Sequence, residues 1–222
     1  MRKVNNIEGE YYHVYNRGVD KRSIFSDQED IDRFFQSMFE FNSIDPIRSI
    51  YENSFVKKKN FQQTTNLVDF IAFSLVGNHY HFILKQVSEK GIEKFMQRLG
   101  NGYTKYFNNK YDRSGSLFQG KYKAKHIDSD NYLLKLSVYV SLNQKVHLLG
   151  HPMSKLEPKL YLYSSWGEYE GTNKTAFCQK EIVLDQFNSR KEYVNFAEIL
   201  LEDIISQKKQ SKEDGDLYLE IK

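Results

Sequence analysis

Cysteine is nearly missing from these 222 residues: Cys178 stands alone. No internal disulfide can form, and a reducing compartment, the cytoplasm, is the expected setting. Proline is almost as scarce at three and glycine stops at twelve, which argues against a linker-rich or low-complexity chain. No apolar run reaches the ~20 residues of a membrane-spanning helix, and no signal-peptide pattern is expected ahead of the first strand. Charge of one sign is lacking too. Lys and Arg number 32 against 29 Asp and Glu, a net +3 that by itself says little about a nucleic-acid partner. What the chain has in quantity is aromatic side chains, 16 Tyr and 16 Phe, within an apolar fraction of 40%. That is enough for the core of one domain, alone or with a small appendage.

The chain is organised around residues 71–87, IAFSLVGNHYHFILKQV. β-Branched, aromatic and aliphatic residues flank Gly77-Asn78, so two strands, roughly 68–76 and 79–86, are expected to meet there in a tight hairpin. Residues two apart in a strand share a face, which sets His79 beside His81 and sends Tyr80 to the other side. Two imidazoles fixed on a sheet are half of a divalent-metal site.

Around this hairpin the periodicity reads as alternating elements. Residues 10–17 make a first strand, and Asp27 precedes a helix near 28–43 with Ile31, Phe34, Phe35, Met38 and Phe39 on one stripe. Pro46 closes that helix off. Residues 51–66 are a polar excursion in which Lys57, Lys58 and Lys59 read as a solvated loop tip. A second helix runs from about 90 to 109, its stripe of Ile92, Phe95, Met96, Leu99, Tyr103, Tyr106 and Phe107 turned to the core. A glycine-punctuated loop leads to a strand near 121–127, and Asp130 caps a third helix, roughly 131–143. An irregular aromatic segment, 155–171, and a helical one, 180–206, follow; the charged end, 207–222, is expected to be a flexible tail. Strand, helix, strand, strand, helix, strand, helix predicts an α+β fold: a ferredoxin-like antiparallel sheet with helices on one face, plus a helical C-terminal extension.

The third helix offers chemistry. Tyr139 and Asn143, four apart, share a face with Tyr132 and Leu136 that is expected to meet the sheet. A tyrosine hydroxyl, with a free pKa of about 10, is a poor nucleophile unless a metal polarises the phosphodiester it attacks. An amide oxygen of Asn143 suits a hard cation, Mg²⁺ or Mn²⁺, as a third ligand. Between Arg98 and His126 stand Arg98, Lys105, Lys110, Arg113, Lys121, Lys123 and Lys125 against a single acid, Asp112, with aromatics interleaved. Cations of this kind follow phosphates while rings stack on unpaired bases. Tyr106 and Phe107 have core packing as the competing reading, and the lysines a solvated face; over 113–125 the DNA-binding reading is preferred. Arg17 either contacts DNA or makes a structural hydrogen bond. His13, His126, His147 and His151 lack paired spacing and read as satisfied or exposed histidines. Cys178 reads as inert, and Trp166 as packing the C-terminal segment onto the domain.

His79-Tyr80-His81 has the histidine–hydrophobic–histidine form of the HUH nucleases, and the chain resembles more closely the REP-associated tyrosine transposases, single-tyrosine members of that superfamily. Five blocks carry the resemblance in order: YHVYNRG (12–18), GNHYHFIL (77–84), YTKYFNNKYDRSGSLFQGKYKA (103–124), DNYLLKLSVYVSLN (130–143) and YLYSSWGEYEG (161–171). It implies a catalytic domain over 1–150, with an extension over 151–206 packed on it, that cleaves single-stranded DNA near a hairpin and leaves a 5′-phosphotyrosine and a free 3′-hydroxyl. The family's nucleophile falls on Tyr139, its histidine pair on His79 and His81, and its polar third ligand on Asn143. There are departures: Gln144 stands where the family usually has proline, Tyr163 and Trp166 look exchanged, and 51–66 looks inserted. The expected partner is single-stranded DNA, with the protein a monomer or homodimer and no membrane involved. Two other functions compete: a domesticated hairpin-binding protein that does not cleave, and a replication initiator or relaxase, for whose helicase or partner domains no length remains.

Overall fold

The computed structural model describes residues 7–46, 66–148, 163–173 and 177–210. In chain order these form β1 (Tyr11–Arg17), a 3-10 turn (Val19–Lys21), α1 (Gln28–Glu40), β2 (Val68–Val76), β3 (His79–Gln86), α2 (Gly91–Lys110), β4 (Lys123–Ile127) and α3 (Asp130–Ser141). Four further helices follow: α4 (Asn143–Leu148), α5 (Trp166–Glu170), α6 (Glu181–Leu184) and α7 (Arg190–Gln210). All but Asn66 of the expected excursion, residues 155–162 of the aromatic segment, His151 and the tail from 211 onward lie outside the described residues.

The four strands form one sheet in the order β2-β3-β1-β4, every pair antiparallel. The crossover through α1 sets β2 down parallel to β1 one strand-width away, and the hairpin feeds β3 into the gap. This is the ferredoxin-like arrangement expected from the element order. One face carries Tyr12, Val14, Phe73, Leu75, Tyr80, Phe82 and Leu84 against Ile31, Phe34 and Met38 of α1 and Ile92, Phe95, Leu99 and Tyr103 of α2. Each such side chain contributes roughly 1.5–3 kcal/mol by leaving water, so this layer is a main source of stability.

The expectation of helices on one face holds only for these two crossover helices. α3 lies on the opposite face, where Leu133, Leu136, Val138 and Tyr139 pack with Ile71, Ala72 and Ile83 of the sheet and with Tyr169, Val183, Tyr193 and Ala197 of the C-terminal segment. The reason is in the strands themselves: β2 and β3 are buried on both faces, which one layer of helices cannot achieve. A β-bulge lies between Phe70 and Ala72 of β2. It turns Phe70 and Phe73, three apart, to the same face, and Ile71 with Ala72 to the other.

The outer edge of β2 is covered by the C-terminal segment, through Leu75 N–H to Tyr163 O (2.9 Å), Ser165 N–H to Phe73 O (3.0 Å) and Gln179 N–H to Phe70 O (2.7 Å). The other edge, β4, is exposed and carries lysines, which discourages pairing with a further strand. β4 begins at Lys123, so Lys121 precedes the strand rather than opening it. No described helix is long and apolar enough to cross a membrane.

Candidate active site

β3 sits between β2 and β1, and its register builds cross-strand rows on the face that α3 covers. Val76, His79 and Arg17 stand side by side; so do Ser74, His81, Tyr15 and Lys123; so do Ala72, Ile83, His13 and Lys125. Directly opposed side chains in an antiparallel pair have Cβ atoms about 4.5–5.5 Å apart, so each row is a set of touching neighbours. The two histidines project together as the spacing predicted, ring centroids 5.1 Å apart and edge to face. Tyr80 goes to the opposite face, where it stacks on Phe82.

α3 brings the tyrosine. Ser129, not Asp130, is its N-cap, accepting from Tyr132 N–H at 3.4 Å. Tyr139 lies 1% exposed, its ring edge-on to His81 at 5.8 Å between centroids. Asn143 is not on the same helix. α3 stops at Ser141, Leu142 departs from helical geometry at φ −105°, and Asn143 opens α4. The chain nevertheless keeps turning: Leu142 N–H donates to Val138 O and Lys145 N–H to Leu142 O, both at 2.9 Å, and the Gln144 side chain donates to Leu75 O at 3.4 Å. Asn143 therefore stays over the sheet, fully buried, with Oδ1 3.2 Å from His79 Nε2. His79, His81, Tyr139 and Asn143 thus meet in one buried cluster.

Two further groups shape it that sequence reasoning passed over. His13, read as an isolated histidine, has its Nε2 2.9 Å from His81 Nδ1 and stacks on that ring with centroids 5.2 Å apart. Desolvation, with Lys125 adding to it, lowers the His13 pKa to about 3, so the ring is neutral. Asn78 Oδ1 lies 2.6 Å from His79 Nδ1. In the sequence Asn78 was legible only as a turn residue; the i, i+2 alternation of β1 and β3 was the available signal for His13, once their pairing was known.

Among the described residues no group of three His, Cys, Asp or Glu is arranged to hold a metal ion, so a site here needs Asn143 as a donor. The amide fits that part. Its Nδ2 is buried without a hydrogen-bond partner, and its oxygen faces His79 Nε2 at 3.2 Å. Two cis ligands at about 2.1 Å from one cation stand roughly 3 Å apart. With Nδ1 of each histidine turned to a neighbour, both rings would meet a cation through Nε2.

The expected cations divide. Lys123 and Lys125 lie on the site face, over the rings of Tyr15 (5.8 Å) and Tyr132 (5.2 Å), and Lys121 is exposed beside them. Arg17 neighbours His79 across the strands and its Nε donates to Gln119 Oε1, the structural hydrogen bond anticipated, while its place beside the histidine keeps the DNA contact open. Arg113 Nη1 lies 3.4 Å from Asn108 Oδ1 and its guanidinium sits over Phe107 at the end of α2. Arg98 donates to Phe41 O and Ser43 O, and Lys110 is held by Asp27, Glu29 and Asp30, so both serve the fold. Tyr103 is on the far face, its hydroxyl donating to Ile24 O at 2.6 Å.

A family model described as "Transposase IS200 like" matches residues 7–143, more than half of the chain and every residue of the cluster. No curated protein matches. Among solved structures, a REP-associated tyrosine transposase bound to a REP hairpin is 10% identical, with a TM-score of 0.46, covering 77% of this chain and 84% of that one. A bacterial tRNA(His) guanylyltransferase-like protein in complex with GTP is 11% identical, with a TM-score of 0.38 and coverages of 70% and 74%. The tRNA(His) guanylyltransferase of Saccharomyces cerevisiae is 10% identical, with a TM-score of 0.37 and coverages of 93% and 81%.

Proposed function

From the premise that this chain belongs to the IS200-like transposase family, we propose that it is a metal-dependent endonuclease and transesterase acting on single-stranded DNA beside hairpins. The DNA-processing role comes with the family; the mechanism and the substrate form are our reading. One observation carries it. Two histidines, a tyrosine and an asparagine from β3, α3 and α4 converge in a single buried cluster, with His79 Nε2 3.2 Å from Asn143 Oδ1 and the Tyr139 ring against His81.

His79, His81 and Asn143 would hold the cation, Mg²⁺ or Mn²⁺, which when bound supplies Lewis-acid polarisation of the scissile phosphate. Tyr139 is the nucleophile. Its oxygen forms a bond to phosphorus as the bond from phosphorus to the 3′ oxygen breaks. The electron pair leaves with that oxygen, which gains a proton as the phenol loses one. The product 5′-phosphotyrosine conserves the bond energy for rejoining. Arg17, Arg113, Lys121, Lys123 and Lys125 are proposed to hold the DNA backbone, the last two from the same sheet face as the cluster. The reading places the protein in the cytoplasm, as a monomer or homodimer.

A second reading, hairpin binding without cleavage, is favoured by the depth of the nucleophile, since Tyr139 is 1% exposed. Incubation with end-labelled single-stranded hairpins and Mn²⁺, run on denaturing gels, separates the two. The parent is expected to form a covalent adduct that Tyr139→Phe abolishes, with DNA affinity changed less than about twofold, since one buried hydroxyl contributes little to backbone contacts. Tight binding by the parent with no adduct under any divalent metal would establish the second reading.

A further inference from the structure

We propose that Asn78 is a positioning residue that holds the proton of His79 on Nδ1 and so leaves Nε2, as a lone pair, to the site. The consequence for a cation rests on the metal-dependent reading above; the tautomer itself does not.

One amide fixes the proton. Asn78 Nδ2 lies 3.1 Å from the carbonyl oxygen of Lys21, a group that can only accept. The NH₂ end of the side chain is therefore the end turned to Lys21, and the oxygen end is turned to His79 Nδ1 at 2.6 Å. That oxygen also only accepts, so the proton between the two must belong to His79 Nδ1. A neutral imidazole with its proton there has a lone pair at Nε2. Without a cation the Asn143 amide can turn its unpartnered NH₂ to that lone pair; with one, its Oδ1, 3.2 Å away, would join Nε2 as a ligand. For His81 no such deduction is available, because its partner is another imidazole that can take either role.

The Lys21 carbonyl is held in place by unusual backbone. Asp20 and Lys21 both take positive φ, 54° and 58°, a region that costs a non-glycine residue on the order of 1–3 kcal/mol and persists only where the surroundings impose it. Here they do. Gly18 N–H donates to Asn78 O at 2.8 Å, Lys21 N–H to Gly18 O at 3.1 Å, and Ile24 N–H to Gly77 O at 2.8 Å. A Cβ on Gly18 would fall 2.2 Å from Arg22 O, so only glycine closes this turn. The 18–24 segment therefore grips the hairpin tip by its backbone and by the Asn78 side chain together. The tip gives no local reason for asparagine, because neither Gly77 nor Asn78 takes a positive φ. The reason for asparagine is what its amide bonds.

The test reads the tautomer directly. Long-range ¹H–¹⁵N spectra of the protein in EDTA, with His79 assigned through His79→Gln, report which ring nitrogen is protonated. The parent is expected to show His79 in the Nδ1–H form. Asn78→Ala should show a mixture and bind Mn²⁺ on the order of 10–100-fold more weakly by calorimetry, the usual loss when an outer partner of a ligand is removed. Asn78→Asp keeps an acceptor oxygen for Nδ1–H while losing the donor to Lys21 O, so it should retain the Nδ1–H form that Asn78→Ala loses. An Nε2–H tautomer in the parent overturns the proposal whether or not the variants fold. So does Asn78→Ala with parental tautomer and Mn²⁺ affinity. A parent that shows the Nδ1–H form, lost in Asn78→Ala, yet binds no Mn²⁺ supports the positioning role and refutes the metal reading.

Discussion

His13 shows how a single residue changes meaning once the chain is folded. By spacing it has no partner; by register it stands beside Ile83 and Lys125, with its ring on His81. Burial, then Lys125, lowers its pKa to about 3 from the ordinary 6.5. Between those values the unfolded chain binds a proton that the folded chain refuses. The stability tied to a neutral His13 is therefore complete above about pH 6.5 and is lost as pH falls toward 3. A shift of that size makes the loss between pH 7 and pH 5 about 2 kcal/mol, at about 1.4 kcal/mol per unit well inside the window. Urea unfolding in EDTA at the two pH values should show this excess loss in the parent and not in His13→Gln. Equal losses in the two proteins would mean that His13 titrates normally.

At the scale of the element, β4 is the short edge strand on which the DNA-binding expectation mostly rests. Its alternation sends Lys123 and Lys125 to the site face, beside Tyr15 and His13. Tyr122, just ahead of it, packs toward the opposite core, and burial, then Glu93, raises its hydroxyl pKa to about 12. Ammonium groups on an exposed edge, on the same sheet face as the buried cluster, suit phosphate contacts, which position the strand without reading bases. Replacing Lys121, Lys123 and Lys125 together with Ala should weaken single-strand binding across all sequences. The log–log salt slope should flatten by about 0.7 for each phosphate no longer neutralised, with the adduct at saturating DNA retained. Unchanged affinity and slope would make the lysines a solvated edge.

The whole molecule adds a constraint that neither strand nor helix reveals alone. The segment after residue 163 both closes the edge of β2 and clamps the tyrosine helix. Ser165 Oγ is 2.9 Å from Ser141 Oγ and accepts from Phe73 N–H at 3.0 Å; Tyr193 Oη is 3.3 Å from Ser137 Oγ; Tyr169 Oη donates to Ile71 O at 2.9 Å. Glu168, itself buried, accepts from Phe177 N–H and Cys178 N–H and so folds the following turn back onto the sheet. We expect a chain ending at residue 162 to uncover the apolar face of α3 and lose cooperative urea unfolding while gaining dye binding to exposed apolar surface. Parental cooperativity in that truncation would mark the extension as dispensable to the rest of the fold.

Periodicity alone was enough for the seven-element order, because the stripe of α2 and the alternation of β3 are local properties of the chain. It was likewise enough for the pairing of His79 with His81, two residues apart on one strand. It missed the second helical layer, since residues buried on both faces of β2 look the same as residues buried on one, and the bulge at Phe70 hides in a continuous apolar run. It joined Tyr139 and Asn143 by helical spacing, whereas the helix ends between them and tertiary packing holds Asn143 over His79. The sequence by itself determined which chemical groups are present and which neighbours share a face. The tertiary structure decided which distant groups touch: His13 with His81 across 68 residues, Asn143 with His79 across 64, and Asn78 with Lys21 across 57. Strand register and helix docking set those pairs through burial and backbone hydrogen bonds, and no local pattern encodes them.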